Sequence, residues 1–144
     1  MIPEILRDMA TFIKGNYEPW KGLPEDDILM YLTDSFREGT LIPLVGGFGD
    51  TTEIIAVYQY WAVTRGYIRR ARFSDNGLPT PTRDERKGDI MFFPITVIGE
   101  KYLDAKVTQL MNRKIWADFP EIEGYYRYVL RNGTVKFTKR FEEK

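Results

Sequence analysis

The sequence predicts an α/β (α+β) protein: a mixed, largely antiparallel sheet with helices on both faces. Three observations carry this. Asp89 to Ile98 is a continuous apolar run, rich in aromatic and β-branched residues, as in a strand covered on both faces. Gly99 breaks the run, and from Glu100 to Lys114 the apolar residues Leu103, Val107, Leu110 and Met111 recur three or four apart, which is helical spacing. Near the end, two alternating runs, Tyr125 to Leu130 and Thr134 to Phe141, flank Arg131-Asn132-Gly133, a strong local hairpin signal. Strands on both sides of one crossover helix make the sheet mixed.

The elements follow in order. Ile2 to Lys14 reads as a helix opened by Pro3, with Ile5, Leu6, Met9, Phe12 and Ile13 as its apolar stripe and Gly15-Asn16 as its stop. Tyr17 to Leu23 is a loop carrying Tyr17 and Trp20. Pro24 opens a second helix whose first turn holds Glu25, Asp26 and Asp27, where negative charge meets the positive end of the helix dipole. Ile28, Leu29, Leu32 and Phe36 form its buried side, and Gly39 ends it. Thr40 to Val45 is a short strand in which Pro43 demands an edge position or a bulge. Gly46 to Asp50 has three glycines but no Lys-Ser/Thr after them, so it reads as a hairpin connection rather than a phosphate loop. Glu53 to Thr64 is apolar on both alternating faces, which places it centrally in the sheet. Tyr67 to Phe73 reads as a shorter, basic strand or extended segment, and Ser74 to Lys87, with Asn-Gly and two prolines, as a surface loop. Ile115 to Glu123 is a connection through Trp116, Phe119 and Pro120.

At 144 residues the chain is expected to form one domain, 1–144, with a single core. With 9 Tyr, 9 Phe and 3 Trp, that core or a cleft beside it should be aromatic-rich. Lys+Arg and Asp+Glu both number 21, so no overall field draws the protein to nucleic acid or to an anionic membrane. The chain has 0 Cys and 0 His, which excludes a thiolate nucleophile, a disulfide framework, a zinc site of the usual ligands and a His-dependent triad. No metal site is expected. No run approaches the roughly 18 apolar residues of a membrane span, and the start is charged and helical rather than signal-like. A cytoplasmic location is expected, and a virion component is equally compatible with the lack of cysteine.

The order of elements, with the strand GDIMFFPITVIG feeding the helix EKYLDAKVTQLMNRK, resembles the GNAT superfamily of N-acetyltransferases. It is also similar in architecture to the RTX-toxin-activating acyltransferases and to small GNAT-like phage proteins. The resemblance implies two N-terminal helices, an antiparallel run of strands, a splayed strand and a turn whose backbone N–H groups cradle the pyrophosphate of coenzyme A. Of the family's glycine-rich signature at that turn, only Gly99 is present, followed by Glu100, Lys101 and Tyr102. Pro94, which has no N–H to give a ladder, fits the splay.

On that resemblance, Phe93, Pro94, Ile95, Thr96 and Val97, with Gly99, Glu100, Lys101 and Tyr102, would hold acetyl-CoA or another acyl-CoA. Glu53 is the candidate base, and Tyr125 or Tyr126 the acid that protonates the leaving thiolate. The function expected is a divergent acyl-CoA-dependent N-acyltransferase acting on an amine substrate. The alternative is a non-catalytic GNAT-like structural or interaction protein, such as a phage virion or assembly component with a protein partner. A nucleic-acid-binding module is a second alternative. It would rest on Arg65, Arg69, Arg70 and Arg72 with Tyr67 and Phe73, and on Lys136, Lys139 and Arg140; the balanced charge and the neighbouring acids weigh against it.

Overall fold

A computed structural model describes residues 2–46, 52–74, 77–103, 106–129 and 133–140. The expected turn at Gly46 to Asp50 and the residues Leu130, Arg131 and Asn132 of the late hairpin lie largely outside these, as does the tail from Phe141. Among the described residues there are four α-helices and five strands: α1 (Glu4–Asn16), α2 (Glu25–Glu38), β1 (Leu41–Gly46), β2 (Glu53–Val63), α3 (Arg65–Arg72), β3 (Ile90–Ile98), α4 (Val107–Asp118), β4 (Gly124–Val129) and β5 (Thr134–Lys139). The strands form one sheet in the order β1-β2-β3-β4-β5. β1 pairs with β2 and β4 with β5 antiparallel, while β3 and β4 are parallel, so the mixed sheet and the α+β class are observed. No helix of the described residues is long and apolar enough to cross a membrane.

The chain divides into two compact units, Met1–Gln59 with Thr96–Lys114, and Tyr60–Ile95 with Ile115–Lys144. In the first unit α1 buries Leu6, Met9, Ala10 and Ile13, and α2 buries Ile28, Leu29, Leu32 and Ser35. α1 runs through Gly15, which was expected to stop it, and closes when the Tyr17 amide donates to the Ile13 carbonyl at 2.8 Å. α2 ends as expected. Gly39 sits at φ 75°, its N–H donates to Phe36 and that of Thr40 to Ser35, so two otherwise orphaned carbonyls are satisfied. β1 is an edge strand, and its register against β2 shifts between Leu44 and Val45, just after Pro43; the position and the irregularity both follow from the proline.

The second unit is built on alternation. Along β3 and β4 successive side chains take opposite faces of the sheet. Phe92 packs on Tyr67 (5.6 Å) and Trp61 (6.2 Å), while Phe93 packs on Tyr60 (6.0 Å) and Tyr125 (4.9 Å). α3 covers the first of these faces through Tyr67, Ile68 and Ala71, which cluster with Val63 and Phe92. Trp116, in the last turns of α4, covers the other, 5.5 Å from the Tyr125 ring. Within this unit helices do lie on both faces.

Two expectations are corrected. Tyr67 to Phe73 is not a strand but most of α3: Thr64 caps the helix by accepting from the Tyr67 amide, and the buried residues 67, 68 and 71 have helical, not alternating, spacing. The helix expected from Glu100 begins at Val107. Gly99 is followed only by a 3-10 turn, Glu100–Tyr102, and α4 runs on to Asp118 through the segment expected to be a connection. Val107, Met111 and Ile115 are its buried residues, whereas Leu103 is 65% and Leu110 46% exposed, so the apolar stripe is rotated from the expected one.

The surface loop is anchored at its far end. Glu85 accepts from Arg70 through both oxygens, at 3.0 Å (Nε to Oε2) and 2.6 Å (Nη2 to Oε1), and accepts the Thr82 amide at 2.9 Å. The Thr82 hydroxyl returns the bond by accepting the Glu85 amide, a reciprocal capping box. The Arg70 guanidinium, first, and then the Thr82 amide hold the Glu85 carboxyl down at about 2. A depressed carboxyl contributes stability that is full above its unfolded value and lost as pH falls through the folded one. Acid unfolding of the native chain is therefore expected to steepen between the ordinary pKa of 4.5 and about 2. Glu85→Gln should flatten that limb and cost about 1 to 2 kcal/mol at neutral pH, a figure reduced for the solvent-screened Arg70. Chemical denaturation across a pH series checks both.

Candidate functional site

The residues expected to hold a cofactor begin in β3. Phe93, Pro94, Ile95 and Val97 are buried, and Thr96 is half-buried. Phe93 contributes to an aromatic cluster of the second unit; Gly99, Glu100, Lys101 and Tyr102 form the turn that closes the first. The Gly99 amide donates to the Ile55 carbonyl at 2.9 Å, the Glu100 amide to Asn16 Oδ1 at 3.1 Å, the Tyr102 amide to the Gly99 carbonyl at 2.8 Å and the Leu103 amide to the Glu100 carbonyl at 3.4 Å. Four of the five amides from Gly99 to Leu103 thus have protein acceptors. A tight 3-10 turn consumes the donors that a helix start would leave unpaired. The helix N-terminus expected at the strand exit is replaced by this closed turn.

Asn16 is well placed to hold it. Its Nδ2 donates to the Phe12 carbonyl at 2.9 Å, which fixes the amide's orientation and aims Oδ1 at Glu100. A Cβ on Gly99 would lie 3.3 Å from the Phe12 ring and 3.4 Å from the Ile55 carbonyl, so the glycine fits where the turn presses on α1 and β2.

Glu53, the candidate base, belongs to the same turn. Its Oε1 accepts from the Tyr102 phenol and from Lys101 Nζ at 2.7 Å, so both lone pairs of that oxygen are in use. Lys21 approaches Glu18 at 3.0 Å and Glu100 at 3.8 Å. Around the turn three carboxylates, Glu18, Glu53 and Glu100, share two ammonium groups, Lys21 and Lys101. Exposed pairs of this kind stabilise little, and a set with more carboxylates than ammonium groups makes no positive field for a pyrophosphate.

Tyr125 and Tyr126, the candidate acids, face opposite sides of the sheet. Tyr126 packs on Phe137 at 4.8 Å with the Arg72 guanidinium 5.2 Å from its ring. Tyr125 packs between Phe93 and Trp116, and burial raises its phenol above the ordinary value against smaller lowering effects of Thr138 and Arg127. It therefore keeps its proton at neutral pH. The structure brings Glu53 to Lys101 and Tyr102, and Phe93 to Tyr125; Glu53 and the tyrosines belong to different units.

The basic residues set aside for nucleic acid are dispersed. Arg65 and Arg69 are exposed on α3, Arg70 is held by Glu85, and Arg72 lies over Tyr126. Lys136, paired with Arg127, projects from the opposite face to Phe137, which pairs with Tyr126. The overall neutrality conceals a division: the second unit has 13 basic and 9 acidic residues, net +4, and the first has 8 and 12, net −4.

Arg127 is not among the candidates that the sequence pointed to. Its Nε is buried without a hydrogen-bond partner. The signal was the alternation of Tyr125-Tyr126-Arg127-Tyr128, which turns Arg127 to the Tyr125 face. Compared with known proteins, the chain matches no family model, no curated protein and no solved structure.

Proposed function

We propose that the chain is a non-catalytic α+β interaction domain in which the turn after β3 is a structural clasp rather than a cofactor cradle. The observation that carries this reading is the hydrogen-bonded state of the turn: the Gly99, Glu100, Tyr102 and Leu103 amides all donate within the protein. An incoming pyrophosphate would have to displace Asn16 and Ile55 and then meet the Glu100 and Glu53 carboxylates. An exposed apolar surface on the first unit supports the interaction role. Trp20 packs edge-on against Tyr17 (5.4 Å) and Tyr31 (5.0 Å), and in the same segments of the chain Tyr31 is 47%, Met30 77% and Leu23 38% exposed.

An acyl-CoA-dependent N-acyltransferase is the second reading, and one observation favours it. Among the described residues β3 and β4 pair only at Phe92↔Tyr126 and Phe93↔Arg127, and the pairing stops at Pro94, as in a splayed strand. A ligand that binds only the folded state raises the melting temperature by mass action. Acetyl-CoA and a longer acyl-CoA at millimolar concentration are expected to leave the melting temperature unchanged. A dose-dependent rise with either thioester would overturn the non-catalytic reading in favour of the second.

A further inference from the structure

Arg127 occupies an unusual place. The register aligns it with Phe93 on β3 and with Lys136 on β5, so its direct cross-strand neighbours are an aromatic ring and a second cation. Like charges directly opposite one another in a sheet are destabilising. The adjoining positions on that face are Tyr125 and Val129 on β4, Thr134 and Thr138 on β5, and Met91 and Ile95 on β3. None carries a carboxylate. Arg127 Nε is buried with no acceptor, an omission that is costly for a charged group. A buried donor that finds no acceptor within the protein calls for a physical reason, and anion binding supplies one.

The surroundings indicate what kind of anion. Trp116 and Phe93 flank Tyr125, Phe119 lies 5.3 Å from Tyr60, and the Arg140 guanidinium sits 5.7 Å over the Trp116 ring. Arg140 is itself fixed by donating through Nη1 to the Pro120 carbonyl at 2.5 Å. Asp118 also acts on this cluster: it helps to raise the Tyr60 phenol after burial, the larger cause. A planar guanidinium beside an ammonium matches the two-oxygen edge of a phosphate or carboxylate, and flat aromatic walls suit an apolar or aromatic body attached to it.

We propose that the Phe93–Arg127–Lys136 row of the second unit, walled by Tyr125 and Trp116, is a binding site for a small oxyanion carried on an aromatic or apolar body. The site makes no use of the Gly99 turn, so its failure would leave the non-catalytic reading intact. Calorimetric titration of the whole chain with phenyl phosphate, benzoate and inorganic phosphate tests it, alongside a short single-stranded oligonucleotide. The expected result is a Kd below about 1 mM for phenyl phosphate or benzoate, with inorganic phosphate weaker because it lacks the ring. Arg127→Met and Lys136→Met should each weaken binding about tenfold or more, the effect of losing one charge-assisted contact. Arg127→Met keeps the volume while removing an uncompensated buried group, so it is expected to fold, and its melting curve verifies this. Equal binding by the folded variants, no binding of any small anion, or binding of the oligonucleotide alone would overturn the site.

Discussion

Replacing Gly88 by alanine is expected to abolish the folded state. A Cβ at that position would lie 2.0 Å from the carbonyl carbon and oxygen of Val63 and 2.3 Å from the Thr64 nitrogen. All three are backbone atoms, so no side-chain rotation relieves the clash. Gly88 has φ −88° and ψ −176°, which any residue adopts; the requirement here is space and not conformation. The same junction carries the Thr64 amide bond to the Glu85 carbonyl (3.0 Å) and the Thr64 cap of α3. Moving it disturbs the end of β2, the start of α3 and the loop anchor together. The loss should exceed about 4 kcal/mol, a large part of the 5 to 15 kcal/mol typical of a domain. Circular dichroism and solubility of Gly88→Ala, measured beside Gly15→Ala, check this. A Cβ on Gly15 meets nothing within 4 Å in a helix, so that variant should fold normally. A Gly88→Ala chain that melts like the native one would contradict the packing described for this junction.

Phe92→Ala is expected to have the next largest effect. Phe92 is 0% exposed and stands at the centre of one face of the second unit, stacked on Trp61 and met edge-on by Tyr67, with Val63, Ile68 and Ala71 completing the cluster. Truncation removes the transfer free energy of the ring and leaves a cavity that its rigid aromatic and β-branched neighbours, Trp61, Tyr67, Val63 and Ile68, cannot collapse into, about 3 to 5 kcal/mol in all. For a chain of this size that corresponds to a fall in melting temperature of roughly 10 to 20 °C. Phe92→Leu, which keeps most of the volume, should lose much less. Equal, small losses for both would mean that the face is loosely packed.

Much of the fold was legible because simple periodicities governed it. The unbroken apolar run of β3, the two-sided β2 and the proline of β1 each imposed one position in the sheet, and those positions are observed. α3 was misread because Tyr67, Arg69, Ala71 and Phe73 alternate with a second set in so short a window. Phe73, 83% exposed, lent the strand pattern a residue that is not in the core. The start of α4 was misread because Leu103 fits a helical repeat yet points to solvent, while the Gly99 turn is fixed by partners distant in the chain, Asn16 and Ile55. Such long-range bonds leave no local trace. Of the sequence-derived candidates, Glu53, Lys101 and Tyr102 meet, but as a clasp. Arg127 became visible only through register: four residues separate Val129 from its partner Thr134, which sets Arg127 opposite Lys136, whereas a two-residue Asn-Gly turn would have set it opposite Thr138.

The closed state of the turn after β3 decides between a clasp and a cofactor cradle, and amide hydrogen exchange reads it directly. With the full chain alone, the Gly99, Glu100 and Tyr102 amides are predicted to exchange slowly, and adding millimolar acetyl-CoA should leave all three rates unchanged. Rapid exchange at these amides in the free protein, or protection that appears only with the thioester, would show donors held open for a ligand and would contradict the clasp.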